Sequence, residues 1–317
     1  MFDVVTLGES MLRLAAPPGE ALESAPHFDV RTAGAEVNVA ATLARLGFRT
    51  AWITKLVDDP LGRRLAADAR RHGVDTSAIV WTTTGRSGVY FLEQGPLPRG
   101  VTVYYDRAGS AFSTLEAGEV TWDVVRGARW AHVTGITPAL SAACAATAAR
   151  FIHEARAAGA KVSIDVNYRR KLWTAERARA GLEPLLASAD LVIVARDDAR
   201  EVFGLDGAPR DVARRAREQF KAGAAVVTAG ADGACLADAS GVYHETAVPA
   251  GEIDPIGRGD AFAAGMLWGA LDGDLRAGLR YGVALAAMAQ TYLGDVAWVS
   301  RQDVLAVLAG RGPKPVR

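Results

Sequence analysis

The chain has 317 residues, 50% hydrophobic and 23% charged, enough apolar material for a large core and too much for a disordered chain. Its 36 basic and 36 acidic residues cancel, which excludes nucleic acid and anionic membrane as the main partner; no apolar run is long enough to span a bilayer. Two lone cysteines, Cys144 and Cys235, and five scattered histidines lack the spacing of a structural zinc site.

Residues 2–7 read as a short apolar strand ending at Gly8-Glu9, and with no signal peptide there the expectation is a cytoplasmic protein. Residues 11–31 are polar and contain Pro and Gly, the look of an excursion of short strands. Residues 33–47, AGAEVNVAATLARLG, predict a glycine turn and then a helix with Val39, Leu43 and Leu46 apolar, closed by Gly47. A strand over 50–57, a turn at Asp58-Asp59-Pro60 and a charged helix to His72-Gly73 follow. This alternation predicts a parallel sheet covered by helices.

Residues 81–107 interrupt it. GVYFLEQG and GVTVYYDR are alternating or aromatic strand patterns separated by the Gly/Pro-rich residues 95–100, which predicts a hairpin. With the first excursion it forms a small sheet projecting from the main body. The alternation then resumes, with strands at 131–133, 162–166, 191–194 and 225–228 and a helix over 141–158. Helical stretches at 261–271 and 279–292 and a closing helix over 301–308 complete the chain. No repeat or linker divides residues 1–317, so a single unit is expected.

The most informative stretch is residues 253–269, IDPIGRGDAFAAGMLWG. Asp254-Pro255 is a turn signal, and Gly257-Arg258-Gly259 gives a loop whose backbone can crowd a ligand. Feeding such a loop into a helix leaves free amides at the positive end of the helix dipole, which makes an anion site. Asp260 in the first turn is either a cap charge or a catalytic base.

DPIGRGDAFAAG resembles the C-terminal signature of the ribokinase-like (PfkB) carbohydrate kinases, D-x-x-G-A-G-D-x-F, and this resemblance favours the base. It implies that the Gly257–Gly259 amides hold the transferring phosphoryl group and that Asp260 takes the proton from the sugar hydroxyl. Gly34-Ala35-Glu36-Val37-Asn38 resembles the family's G-G-x-x-x-N-x-A motif, with Ala33 in place of its first glycine; alone, Asn38 could equally bond its own helix end. The implied fold is an α/β/α three-layer sandwich with a small β lid built from segments near 11–32 and 81–107. The lid is the expected interface of a homo-oligomer.

Within the family, TLGESMLRL, AGAEVN, YYDRAGSA and SIDVNYRRKLW are most similar to 2-keto-3-deoxygluconate kinases. The resemblance implies a sugar acid contacting Gly34, Asn38, Tyr90, Tyr105, Arg107, Arg169 and Asp295. A carboxylate suits a planar, permanently charged donor such as Arg107 or Arg169; without the family, both read as solvated arginines and the two tyrosines as packing residues. ATP would meet Asn167, Arg169, Thr228, Gly230 and Gly233, the last three within VTAGADG. No Walker-type or dinucleotide-binding motif occurs.

Four departures stand out. Arg258 replaces the usual alanine and Ala33 the first glycine of the N-terminal motif. Asp106 stands where a second tyrosine is common. Ala195-Arg196-Asp197-Asp198 occupies the place of an Asn-x-x-Glu element that influences Mg²⁺; Asp198 can replace the acid but Ala195 cannot replace the amide, so metal ligands stay unassigned. The expectation is an ATP- and Mg²⁺-dependent sugar-acid kinase. Its alternatives are a fructokinase or ribokinase-type enzyme and a catalytically silent sugar-acid-binding homologue.

Overall fold

In the computed structural model, which describes residues 1–96 and 98–311, thirteen strands and ten α-helices alternate. The strands are β1 (Val4–Leu7), β2 (Met11–Ala15), β3 (Asp29–Ala33), β4 (Thr50–Val57), β5 (Ile79–Thr82), β6 (Gly88–Gln94), β7 (Val101–Asp106), β8 (Trp130–Thr134), β9 (Lys161–Asp165), β10 (Leu191–Ala195), β11 (Ala224–Thr228), β12 (Ala234–Asp238) and β13 (Gly241–Glu245). The helices are α1 (Ala35–Arg45), α2 (Pro60–Arg71), α3 (Ile136–Ala139), α4 (Ala142–Ala157), α5 (Ala175–Leu186), α6 (Arg196–Phe203), α7 (Pro209–Phe220), α8 (Arg258–Asp272), α9 (Leu275–Ala289) and α10 (Arg301–Leu308).

Nine strands form one sheet in the order β13-β12-β11-β10-β9-β8-β1-β4-β5, parallel from β11 to β5 and antiparallel in the β11–β12 and β12–β13 pairs. Successive residues of a strand face opposite sides, and here both sides are covered, so the strands are apolar throughout. Val5, Val162 and Val192 pack with the α4–α7 layer around Phe151, Leu182 and Val212. Val4, Leu191 and Val226 pack against α8 and α9. The architecture is the expected three-layer α/β/α sandwich. A second sheet, β3-β2-β6-β7, joins the two excursions through a parallel β2–β6 pair.

Three boundaries differ from the sequence reading. Residues 81 and 82 belong to β5 at the edge of the large sheet, where Trp81 pairs with Leu56, so the second excursion begins later. Helix α9 starts at Leu275 because Asp274 caps it, accepting the Arg276 and Ala277 amides at 2.9 and 3.0 Å. Antiparallel β13 adds an edge strand that the pattern did not reveal.

Helices α8 and α9 cross at glycines. A Cβ on Gly265 would lie 2.4 Å from the Gly282 nitrogen, so the backbones are in direct contact. Gly265→Ala must push apart a helix pair whose first member carries Asp260. Overpacking of this kind costs about 1–3 kcal/mol, and urea unfolding of the variant should show a loss in that range. A variant as stable as the wild type would mean that the helices separate without strain.

Candidate active site

The carboxyl ends of the parallel strands open into a cleft of about 1120 Å³, where open α/β sheets place their ligands. Every residue singled out from the motifs lines it: Gly34, Asn38, Tyr90, Tyr105, Arg107, Asn167, Arg169, Thr228, Gly230, Gly233, Gly257, Arg258, Gly259, Asp260 and Asp295. The two sequence motifs thus converge on one cavity.

Asp260 lies in the first turn of α8, whose cap residue Gly257 has φ +82°. Glycine adopts this backbone freely, and the position admits nothing larger, since a Cβ would fall 2.1 Å from the Asp295 carbonyl oxygen. The first amides of a helix have no acceptor within it, so this turn presents donors and a positive dipole end to the cleft. Asn38 Nδ2 donates to Asp260 Oδ2 at 2.7 Å, while the Gly34 amide donates to Asn38 Oδ1 at 3.4 Å. Burial pushes the Asp260 carboxyl well above the usual carboxylate range; the Asn38 hydrogen bond and the Arg169 charge oppose the rise, and Asp165 and Asp295 reinforce it. Glu36 anchors the start of α1, the helix that carries Asn38, accepting from the Thr134 amide and from the Thr134 and Thr137 hydroxyls at 2.8–3.1 Å.

Beneath the small sheet, Arg13, Tyr90 and Tyr105 share a cross-strand row. Three expected sugar contacts, Arg107, Asp295 and Tyr90, are already engaged there. Arg107 donates through Nε (2.8 Å) and Nη2 to Glu9 Oε2, leaving Glu9 Oε1 buried without a partner. Asp295 is bound by Arg13 at 2.7 Å and by the Tyr90 hydroxyl at 3.2 Å. Glu9, Arg13 and Asp254 were missed in the sequence, although each lies within a motif quoted above. A charge between leucines, as in MLRL, was the available signal. Asp106 does not line the cleft; it pairs with Arg86 on the exterior.

Asn167 has φ +39°, a conformation asparagine tolerates, and its amide donates to Asp165 Oδ1 at 3.1 Å. Asp198, in the first turn of α6, accepts the Tyr168 amide at 3.2 Å. Burial pushes Asp165 up to about 7, helped by the Asp198 charge, and pushes Asp198 up to about 6; Arg169 pulls both back. Arg169 makes no ion pair among the described residues. Arg258, at the cleft's edge, pairs with Glu252 at 3.6 Å with half its side chain exposed. Among the described residues no cluster of three or more His, Cys, Asp or Glu side chains could hold a metal ion.

Comparison with known proteins agrees with this geometry. Residues 1–300 match the family model described as pfkB family carbohydrate kinase. The chain is 40% identical over 309 residues to a 2-dehydro-3-deoxygalactonokinase of Haloferax volcanii, covering 97% of each protein. It is 31% identical to a 2-dehydro-3-deoxygluconokinase of Bacillus subtilis, covering 96% of this chain and 94% of that one. The crystal structure of the Thermotoga maritima 2-dehydro-3-deoxygluconokinase superimposes with a TM-score of 0.92 at 31% identity, covering 97% and 98% of the two chains.

Asp165 supplies a direct test of the cleft's electrostatics. Its carboxyl rises from the usual 3.8 to about 7 on folding, so its favourable contribution is complete below pH 4 and lost as pH rises through 7. Asp165→Asn cannot ionise and escapes that loss. The ligand-free variant should be more stable than the wild type at pH 8, by up to about 4 kcal/mol, with the margin shrinking towards pH 4. Superimposable stability–pH curves from chemical denaturation would contradict the assignment.

Proposed function

The chain belongs to the pfkB family of carbohydrate kinases, and from that premise we propose that it phosphorylates a 2-keto-3-deoxy sugar acid with ATP and Mg²⁺. The observation that carries this reading is Asp260, buried at an open helix N-terminus and hydrogen-bonded by Asn38, near the charge of Arg169, which has no ion-pair partner among the described residues. The gluconate is the first candidate substrate. Its galactonate counterpart is the second, favoured by the 40% identity to the Haloferax volcanii enzyme.

In this reading the residue 1–317 chain is one kinase unit and the small sheet is its lid. Asp260 orients the sugar hydroxyl and accepts its proton as the oxygen attacks phosphorus. The amides of residues 257–259 face the transferring phosphoryl oxygens, where donors are worth most because the lid excludes water. Asn167, Thr228, Gly230 and Gly233 line the nucleotide side of the cleft. Mg²⁺, when bound with the nucleotide, neutralises phosphate charge. Asp165 and Asp198 are the carboxylates of this chain that would face its water shell; burial raises both, and a cation beside them would favour their ionised forms. Arg169 attracts the acid end of the sugar with a full charge. Arg107, already paired with Glu9, contributes a fixed donor and less net charge.

A coupled ADP-release assay over sugar acids and neutral sugars tests the whole reading. The wild type should favour 2-keto-3-deoxygluconate or the galactonate over fructose and ribose in kcat/KM. Asp260→Asn should lower kcat by about 10²-fold or more. Arg169→Ala should harm the acid by about ten- to a hundredfold, and Arg107→Ala by less. Preference for fructose or ribose would leave only the kinase family standing, and an absence of turnover with any sugar would favour a silent binding protein.

We also propose that the lid's outer face pairs with a second copy of the chain. Val30, Leu14, Phe91 and Tyr104 form one apolar cross-strand row there, with Val30 38% and Tyr104 55% exposed. Sedimentation should give a dimer for the wild type and a monomer for Phe91→Asp. A monomeric wild type at micromolar concentration would end this part of the reading.

A further inference from the structure

The small sheet and the glycine loop meet at one buried guanidinium. Arg13 sits in the middle of β2 and is 1% exposed. Its Nη1 donates to Asp295 Oδ1 at 2.7 Å and its Nη2 to Asp254 Oδ2. Asp254 in turn shapes the loop, accepting the Ile256 amide on Oδ1 at 3.1 Å and the Gly294 amide on Oδ2 at 3.0 Å. Asp295 supports the loop from the other side through the close approach of its carbonyl to Gly257. Tyr90, the register partner of Arg13, adds its hydroxyl to Asp295, and Ile256 packs on Met11, Ala33, Tyr90 and Leu92.

Two carboxylates therefore flank the loop, and the cation between them comes from the small sheet. Asp254 and Asp295 contribute no other ion pair among the described residues. With Arg13 withdrawn, two buried carboxylates would face each other with no cation between them, and they would move apart. A displaced Asp254 holds the Ile256 and Gly294 amides less well, and the loop loses its shape.

We propose that Arg13 is a positioning residue that makes the phosphate-binding shape of residues 256–259 conditional on the small sheet being seated over the cleft. This deepens the kinase reading and rests on it. A sugar held under the sheet thereby completes the phosphate site, and with the cleft open the loop is poorly set to transfer a phosphoryl group to water.

The test begins with the protein alone. Hydrogen exchange of the Ile256 and Gly294 amides, the two that Asp254 accepts, should be at least tenfold faster in Arg13→Met than in the wild type, with β9 and β10 unchanged. Acceleration spread evenly over the chain, or none at the loop, overturns the proposal. Arg13→Lys and Asp254→Asn provide the same comparison if Arg13→Met does not fold. Kinetics then use whichever sugar of the panel gives best turnover. Folded Arg13→Met should lose at least about 10²-fold in kcat, the size of losing an oxyanion donor, with KM for the sugar changed less than about tenfold. Arg13→Lys should recover at least tenfold of that loss. A kcat within threefold of wild type, with only a lowered Tm, would reduce Arg13 to a structural role. Absence of wild-type turnover would instead count against the kinase reading, while the exchange result would stand by itself.

Discussion

A carboxylate can take a proton from an alcohol only while ionised, and burial opposes ionisation. The cleft is arranged around that conflict at Asp260. Removal from water and the charges of Asp165 and Asp295 push the carboxyl towards its neutral form. The helix terminus, the Asn38 amide and the Arg169 charge favour the anion. Such a balance keeps the group sensitive to what binds beside it. A bound phosphate adds negative charge, and a bound cation removes it, so the basicity of Asp260 depends on a filled site.

The other cations near the cleft are arranged differently. Arg107 is matched by Glu9, and Arg13 by Asp254 and Asp295, each of them buried. Burying such pairs brings little net stability, because desolvation offsets most of the Coulomb attraction. What they bring is fixed direction: a guanidinium held at two points cannot swing. Arg169, exposed and unpaired among the described residues, is the opposite case, a mobile charge that meets whatever anion arrives. The cleft thus combines rigidly held guanidinium groups with an adaptable one.

Legibility of these features in the sequence follows their range. The glycine loop and its helix were readable because turn, capping and apolar pattern are all local, and α10 and β4 fall where the pattern put them. Family resemblance put Asn38 and Asp260 in one site, but their hydrogen bond spans 222 residues and was not foreseen, since the resemblance implies only a sugar contact for Asn38. Arg13 reaches partners 241 and 282 residues away, and no local pattern announces a contact of that kind. Arg107 was visible as a candidate acid reader, but its engagement by Glu9 was not, because the pair joins the start of one excursion to the end of the other. Trp81 looked like part of the hairpin because aromatic alternation does not say which sheet a strand will join.

The parallel pairing of β2 with β6 has a consequence for how the molecule is made. A parallel pair cannot close through a tight turn, and between these strands lie α1, β4, α2 and β5, all of them parts of the main body. The roof of the cleft therefore has no continuity of its own along the chain. Pairing β2 with β6 closes a loop that contains those four elements, so on loop-closure grounds the roof sets after they have packed into the body. Damage to α1, β4, α2 or β5 would thus reach the lid without touching it.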